Sequence, residues 1–263
     1  ENMENISLLE GERIDDLQCG GARIIQHPGL FRFGTDAVLL QNFANLPSRA
    51  RAVDLGTGTG ILPILLCTRQ TQITFDAVEI QSACVDMARR SVQLNGLQER
   101  IAVHEMDLKD APERLGREKY DAVLCNPPYG RRGGVLHNPN SALAIARHEI
   151  LTDLETVVHT ASRLLRPGGR FFMVHQADRL AEIAVFFSQE KLPLKRLRTV
   201  HPAPGARAQL VLCEGLKMGG DGCTVLPPLI LKDDSGAPSG EVQKIYAGEK
   251  LCKQSLKNAC FPR

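Results

Sequence analysis

The sequence predicts an α/β protein with a mostly parallel central sheet and helices on both of its faces. Three observations lead to this fold class. Short apolar runs rich in β-branched residues alternate with segments of helical periodicity along most of the chain. Residues 52–62 join an apolar strand to a glycine-rich turn and an apolar helix. Strands separated by helices pair in parallel, and ligands then bind at the carboxyl ends of the strands.

The composition is that of an ordinary globular protein without a strong overall charge. Of the 263 residues, 43% are hydrophobic and 24% are charged, and the formal net charge is +2. This charge gives little general attraction to nucleic acid, so any such binding must come from local basic patches. We find no apolar run of membrane-spanning length and no signal peptide, and we therefore expect a cytoplasmic protein.

Eight cysteines are scattered along the chain without a C-x-x-C pair or a histidine cluster at metal-ligand spacing. The pattern lacks the signature of a disulfide framework and that of a metal site. We therefore expect mostly buried, inert thiols in a reducing compartment, and no bound metal.

The first predicted elements are a hairpin and a helix. Two short segments, 13–18 and 22–27, flank a pair of glycines, which is typical of a β-hairpin. A helix follows and extends to Phe43, with Thr35 or Asp36 as a suitable N-cap.

The remaining elements alternate along the chain. Strands are predicted at 52–55, 73–80, 101–107, 120–125, 170–175, 194–201 and 208–214, and helices from 61, at 82–94, from Thr152 to Pro167-Gly168-Gly169, and at 179–189. We divide the chain into an N-terminal hairpin and helix (1–47), a core (48–216) and a C-terminal tail (217–263). The tail has too few apolar residues for a core of its own, so we expect it to pack on the main domain.

The glycine-rich turn is the first candidate for a cofactor site. Gly56, Gly58 and Gly60 let the backbone bend sharply and lie against a ligand. Dinucleotide-binding turns have the spacing G-x-G-x-x-G and bind pyrophosphate, whereas this turn is G-x-G-x-G, with Thr57 inside it and Asp54 before it. An acid there would repel phosphate but could accept a hydrogen bond from a cationic amino group. A strand–helix turn of any α/β protein is the alternative interpretation.

At these residues the sequence resembles the class I S-adenosylmethionine-dependent methyltransferases, whose first motif is an acid followed by this glycine turn. The resemblance implies a Rossmann-like sheet of seven strands with the last one antiparallel. It also implies S-adenosylmethionine as the cofactor.

Two acids end the strands that follow the turn. Glu79, next to Ile80, ends the second strand at about the spacing at which an acid accepts hydrogen bonds from ribose hydroxyls in nucleoside-binding folds. A solvated strand-end carboxylate is the alternative. Asp107 ends the third strand and could accept from an adenine amino group, with the amide of Leu108 nearby. An N-cap or turn aspartate explains Asp107 equally well.

The tetrapeptide Asn126-Pro127-Pro128-Tyr129 directly follows the fourth strand. An exocyclic amino nitrogen on an aromatic ring attacks poorly because its lone pair is delocalised. The side-chain oxygen of Asn126 and the carbonyl of Pro127 could accept its hydrogens and localise that lone pair toward the methyl donor, while the prolines keep both acceptors aimed. Tyr129 can stack on the planar substrate. A proline-stiffened loop is the alternative.

Four segments together resemble the bacterial family that methylates N6 of adenine 37, beside the anticodon of valine tRNA. They are residues 33–40, the glycine turn, residues 126–129 and residues 146–149. The resemblance covers most of the chain and implies a tRNA anticodon loop as partner. It also implies that Asp36 lies near the methionine end of the cofactor, although an ordinary helix cap fits equally well.

The tetrapeptide alone leaves the acceptor open. Glutamine of a translation release factor, guanine of ribosomal RNA and adenine of DNA are alternatives with the same chemistry. A non-catalytic RNA-binding protein on the same scaffold is a further alternative.

Basic residues after the tetrapeptide complete the expected substrate site. Arg131 and Arg132 would stand at the mouth of the active site beside an incoming phosphate backbone, with Pro128 and Tyr129 contacting the base. A second basic cluster alternates with leucines and is also explained as the solvent face of a strand; it consists of Lys191, Lys195, Arg196 and Arg198.

Overall fold

The structure, a computed structural model, describes residues 6–29, 34–127 and 154–248. The strands are β1 (Arg13–Asp16), β2 (Arg23–Gln26), β3 (Arg51–Leu55), β4 (Thr74–Glu79), β5 (Ile101–Glu105), β6 (Tyr120–Cys125), β7 (Leu165–Gln176), β8 (Leu194–His201), β9 (Leu210–Leu216), β10 (Thr224–Val225) and β11 (Leu229–Ile230). The α-helices are α1 (Thr35–Phe43), α2 (Ile61–Arg69), α3 (Ser82–Leu94), α4 (Ala111–Leu115), α5 (Leu154–Leu164), α6 (Leu180–Gln189) and α7 (Gly240–Tyr246). β1 and β2 form the expected antiparallel hairpin.

The main sheet confirms the predicted α/β class. Its nine described strands include eight in the order β10-β8-β9-β7-β6-β3-β4-β5, and β11 also pairs with β8. The five strands from β7 to β5 pair in parallel, whereas β9 is antiparallel to both β7 and β8. The sheet therefore contains the seven strands that the resemblance implies, with the last one antiparallel. The tail adds β10 and β11 in parallel to the outer edge of β8.

Helices cover both faces of this sheet. Successive residues of a strand point to opposite faces, so a strand covered on both sides contributes alternate residues to two apolar clusters. Ala52 packs in the cluster formed with α1, α2 and the tail. Val53 and Leu55 pack in the other cluster, with α5 and α6. The tail contributes Leu229 to the first cluster and so belongs to the same core.

The start of α1 differs from the prediction. Neither Thr35 nor Asp36 caps this helix, because both already have helical backbone and the N-cap is Gly34, which has an extended conformation and makes no side-chain capping bond. Asp36 instead lies in the first turn, where a negative charge favours the helix N-terminus.

The end of α5 also differs from the prediction. The helix ends at Leu164, and Pro167-Gly168-Gly169 lies inside β7. The glycines are held in this strand by the chain that follows β9, since Gly168 N donates to Lys217 O at 2.9 Å and Lys217 N donates to Gly169 O at 2.8 Å. Gly168 has φ +78°, which glycine adopts without strain. The predicted capping box at Thr152 lies outside the described residues.

Several smaller elements have no counterpart in the prediction. A 3₁₀ turn at Leu108–Asp110 leads into α4, so β5 ends at Glu105, two residues earlier than expected. α7 in the tail is capped by Ser239, whose hydroxyl accepts from Val242 N at 3.2 Å.

Of the six cysteines within the described ranges, five are buried and Cys223 is exposed. In the part of the chain that the structure describes, no helix is long and apolar enough to cross a membrane.

Candidate active site

The loops that follow four parallel strands meet at one edge of the sheet. Leu55 of β3 pairs with Val78 of β4 on one side and with Cys125 of β6 on the other. Glu79 pairs with Glu105 of β5. The strands that follow β3 in the chain, β4 and β5, lie on one side of it, and β6 and β7 lie on the other. The strand order therefore reverses between β3 and β6, and a ligand cleft is expected outside the carboxyl ends of these two strands. The predicted cofactor turn and the predicted catalytic tetrapeptide both begin at this point.

The glycine turn is held against β4 and leaves open space above it. Gly56 N and Thr57 N both donate to Val78 O at 2.9 Å. Gly56 has φ +73°, and a Cβ placed on it would meet no described atom within 4 Å. Gly60 has φ +89° and is the N-cap of α2, where an added Cβ would lie 3.6 Å from the Cβ of Ala88. A Cβ at Gly60 would thus make an ordinary contact with α3, whereas the backbone at Gly56 borders open space and is accessible to a ligand.

Asp54 is a buried acid beneath this turn. Its exposed fraction is 1%. Burial raises the pKa of Asp54 to about 7, and the negative charge of Glu79 acts in the same direction. The hydroxyl of Thr57 is close enough to offset part of this shift, but it does not reach hydrogen-bond geometry with the carboxylate.

Four buried oxygen atoms at the turn have no hydrogen-bond partner among the described residues. They are both carboxylate oxygens of Asp54 and the hydroxyls of Thr57 and Thr59. Buried polar groups are almost always satisfied in native proteins, so this unpaired cluster of acceptors and hydroxyls makes the turn a candidate site for a polar ligand. Sequence reasoning missed Thr59, although its place in the G-T-G-T-G turn is the same signal that pointed to Thr57.

The carboxylate of Glu79 is used by the protein itself. Its exposed fraction is 6%. One oxygen accepts from Gly58 N at 2.9 Å, and the other accepts from Ile80 N at 2.8 Å and Gln81 N at 2.9 Å. The alternative interpretation of Glu79 as a solvated strand-end carboxylate is therefore wrong. A carboxylate has about four acceptor positions, so about one remains for a ligand. Glu79 connects the glycine turn to the start of α3.

The neighbouring cofactor candidates differ in their surroundings. Ile80 presents an apolar side chain that is 48% exposed at the edge of the cleft. Asp107 caps the 3₁₀ turn, since one of its oxygens accepts from Lys109 N at 3.0 Å. Leu108 begins that turn and packs partly against the core. The capping interpretation of Asp107 is thus present in the structure, and it uses one carboxylate oxygen.

Asn126 and Pro127 directly follow β6, next to the buried acid. Asn126 is half-buried and Pro127 is buried. The thiol of Cys125 donates to Leu55 O at 3.1 Å. Burial raises the pKa of that thiol, and the nearby charge of Asp54 adds to the effect. The start of the tetrapeptide therefore lies beside the start of the glycine turn. The other substrate candidates, Pro128, Tyr129, Arg131 and Arg132, lie outside the described residues.

Asp36 is placed by a different element. It is half-buried in the first turn of α1, and within the described ranges no hydrogen bond joins it to the glycine turn. The preceding residue, Thr35, accepts from the hydroxyl of Tyr246 at 3.3 Å, which connects the start of α1 to the tail helix.

Three members of the second basic cluster make contacts within the protein. Lys195 donates to the carbonyls of Gly220 and Asp221 at 3.0 and 2.7 Å. Arg196, which is 9% exposed, pairs with Glu214 and donates to Phe43 O. Arg198 makes two bonds to Glu241 and one to Pro227 O, and it thereby holds the tail. The alternative that these side chains form a solvent face is therefore wrong for the buried Arg196, whereas Lys195 and Arg198 are partly exposed.

Comparisons with known proteins agree with this arrangement. Residues 22–190 match the family model of the methyltransferase small domain. The chain is 30% identical over 191 residues to a tRNA1(Val) (adenine(37)-N6)-methyltransferase of Porphyromonas gingivalis, covering 70% of this chain and 73% of the relative. It is 32% identical over 187 residues to the protein of the same name from Parabacteroides distasonis, covering 70% and 76%.

A solved structure supports the fold alone. The crystal structure of a predicted O-methyltransferase from Agrobacterium tumefaciens superposes with a TM-score of 0.65 at 24% identity, covering 81% of this chain and 96% of that chain.

Proposed function

Because this chain belongs to the methyltransferase small domain family, we propose that it transfers the methyl group of S-adenosylmethionine to the N6 amino group of adenine in a tRNA, with adenine 37 of valine tRNA as the target. The names of the relatives support this acceptor. One structural observation carries the proposal. The buried, unpaired Asp54 and the open backbone of Gly56 lie beside Asn126, so the residues that we propose for the cofactor and for the amino group adjoin.

The residues of the cleft fit the chemical groups of S-adenosylmethionine. Asp54 would accept from the ammonium group, which would stabilise the ionised carboxylate. Glu79 has about one free acceptor position for a ribose hydroxyl, and Asp107 would accept from the adenine amino group beside the Leu108 amide. Ile80 would contact the adenine face, and Asp36 would lie toward the methionine end. The glycine turn, with Gly56, Thr57, Gly58 and Gly60, would form the floor.

Bound S-adenosylmethionine supplies an electrophilic methyl group. The task of the protein is then to orient the acceptor nitrogen and to raise its electron density. The side-chain oxygen of Asn126 and the carbonyl of Pro127 would accept the two amino hydrogens of the base. No strong general base is required, because the nitrogen can lose its proton after the transfer.

The target base would leave the anticodon loop and enter the cleft. Bases of this loop are unpaired, which lowers the cost of extraction. Pro128 and Tyr129 would contact and stack on the extracted base, and Arg131 and Arg132 would contact the phosphate backbone. These four roles follow from the sequence pattern.

Two measurements test the proposal. Calorimetry should show that S-adenosylmethionine and its demethylated product bind to the chain, and absence of binding would remove the cofactor from the proposal. Reaction with labelled S-adenosylmethionine and a tRNA pool should yield N6-methyladenine at one anticodon-loop position, mapped by nucleoside mass spectrometry. Label found instead in release-factor glutamine, ribosomal guanine or DNA adenine would replace the proposed acceptor.

Asn126→Ala separates binding from chemistry. This variant should keep its affinity for the cofactor and lose methyl transfer by about 100-fold or more, because one of the two acceptors at the amino group is gone. Unchanged activity in Asn126→Ala would contradict the role given to this side chain.

A further inference from the structure

A cavity lies between the β1–β2 turn, α1, α2 and α7. Its volume is about 220 Å³, and its walls include the apolar side chains of Leu17, Val38 and Leu65. Arg69, also in the wall, is the last residue of α2, whereas the glycine turn precedes the first residue of that helix. The cavity is therefore separate from the proposed cofactor cleft.

Arg69 brings a positive charge into the cavity and forms no salt bridge with an acid in the described part of the chain. Its guanidinium donates to the side-chain oxygen of Gln41 at 2.7 Å, to the sulfur of Cys19 at 3.1 Å and to the carbonyl of Ile245 at 3.4 Å. All three acceptors are neutral. A guanidinium has five N–H groups, so two remain available.

Gln41 adds an unused donor at the same place. Its side chain is 0% exposed and lines the cavity. Its oxygen is held by Arg69, which fixes the orientation of the amide, because the flipped amide would set donor against donor. Its Nε2 has no hydrogen-bond partner among the described residues. An unpaired buried donor is unfavourable, and an acceptor that enters the cavity would remove that cost.

We propose that this cavity binds a small carboxylate with a short apolar body. Arg69 and Gln41 supply N–H donors for the two carboxylate oxygens, and a guanidinium matches a carboxylate in shape and charge. The aliphatic wall suits the apolar body. Asp16 also lines the cavity, and its negative charge disfavours a dianion such as phosphate more than a monoanion. The proposal does not depend on the proposed methyl transfer.

A titration of the full chain with butyrate tests the proposal. Nuclear magnetic resonance should show saturable shifts of the Gln41 side-chain amide and the Arg69 Nε–H signals, with a Kd of about 1 mM or lower. Butyramide has the same shape without the charge and should cause no saturable shift. Inorganic phosphate should bind at least about 10-fold more weakly than butyrate. Because bound ligand stabilises the folded chain, saturating butyrate should also raise the Tm.

Substitutions locate the site. Arg69→Gln should abolish the response to butyrate, and Gln41→Met, which keeps the length of the side chain, should weaken binding about 10-fold or more. Arg100→Gln is the matched control, since Arg100 also donates to two neutral carbonyls, those of Gln70 and Cys67, but does not line the cavity.

Four outcomes would overturn the proposal. They are no saturable shift in the unaltered chain, equal shifts with butyramide, tighter binding of phosphate than of butyrate, and unchanged affinity in Gln41→Met. If Arg69→Gln does not fold, the butyrate affinity of Gln41→Met tests the proposal.

Discussion

Replacing Glu79 by glutamine tests whether its carboxylate shapes the glycine turn before any cofactor binds. The two oxygens accept from three backbone amides, those of Gly58, Ile80 and Gln81. Glutamine has one acceptor oxygen and one NH₂ donor. If its oxygen keeps the amides of Ile80 and Gln81, its NH₂ group faces the N–H of Gly58, and two donors then oppose each other.

The expected size of the effect follows from the single bond that is lost. A hydrogen bond to a charged group contributes about 1.5–3 kcal/mol, and the buried Gly58 amide would in addition lack a partner. Each 1.4 kcal/mol corresponds to a factor of about ten in affinity. We therefore expect Glu79→Gln to weaken cofactor binding by about 10-fold to 100-fold and to lower the free energy of unfolding by about 1–3 kcal/mol.

Two assays separate the effect on the turn from the effect on the ligand. Calorimetric titration with S-adenosylhomocysteine gives the affinity, and amide hydrogen exchange of Gly58 in the ligand-free protein reports the turn itself. Glu105→Gln is the matched control, because Glu105 pairs with Glu79 across β4 and β5 but bonds only to the exposed Ser82 among the described residues. If Gly58 stays protected in Glu79→Gln while affinity falls, the carboxylate acts on the cofactor alone and our argument is refuted.

Three further predictions concern the turn and the core. Burial raises the pKa of Asp54 to about 7, so as the pH rises from about 4 to 7 the ligand-free protein should lose up to about 4 kcal/mol of unfolding free energy relative to Asp54→Asn. Cofactor affinity should rise over the same range. Urea denaturation at several pH values measures the loss, and parallel pH profiles of the two proteins would contradict it. Gly56 and Gly96 have φ +73° and +64°, and an added Cβ would meet open space at both. Gly56→Ala and Gly96→Ala should each lower the free energy of unfolding by about 1 kcal/mol, but only Gly56→Ala should weaken cofactor binding in calorimetry. Equal cofactor affinities of the two variants would place the ligand elsewhere. Glu214→Gln should lower the free energy of unfolding by about 3 kcal/mol, because this 3% exposed carboxylate pairs with Arg170 and the buried Arg196. A loss under about 1 kcal/mol in chemical denaturation would show that the pairing contributes little to stability.

The sequence predicted those parts of the fold that depend on local periodicity. α3 and β6 have the predicted bounds, because α3 has a clear helical period that stops at Asn95-Gly96 and β6 is a short, mostly apolar run. Elements set by distant pairing were not predictable in the same way. Pro167-Gly168-Gly169, the predicted end of a helix, lies within a strand because Gly168 and Gly169 bond to Lys217. The local sequence pattern does not predict that distant partner.

In the candidate site, too, some features follow from the local sequence and the strand order, and others depend on distant contacts. Asp54, Glu79 and Asn126 meet at one edge because the carboxyl ends of parallel strands must do so, and this follows from strand order. The use of Glu79 as an acceptor for backbone amides does not follow from spacing, because it depends on the positive φ angles of the turn. The internal pairing of Arg196 likewise required the position of Glu214 on the neighbouring strand.

The outermost strands of the sheet bear on self-association. β10 and β11 are two residues each, and Pro227 and Pro228 stand between them. Proline has no N–H to offer, so this border cannot present the continuous row of donors and acceptors that templates the addition of a strand from another molecule. An exposed Val225 at this border would otherwise favour edge-to-edge growth. The short, interrupted strands thus protect the protein against aggregation through this side of the sheet.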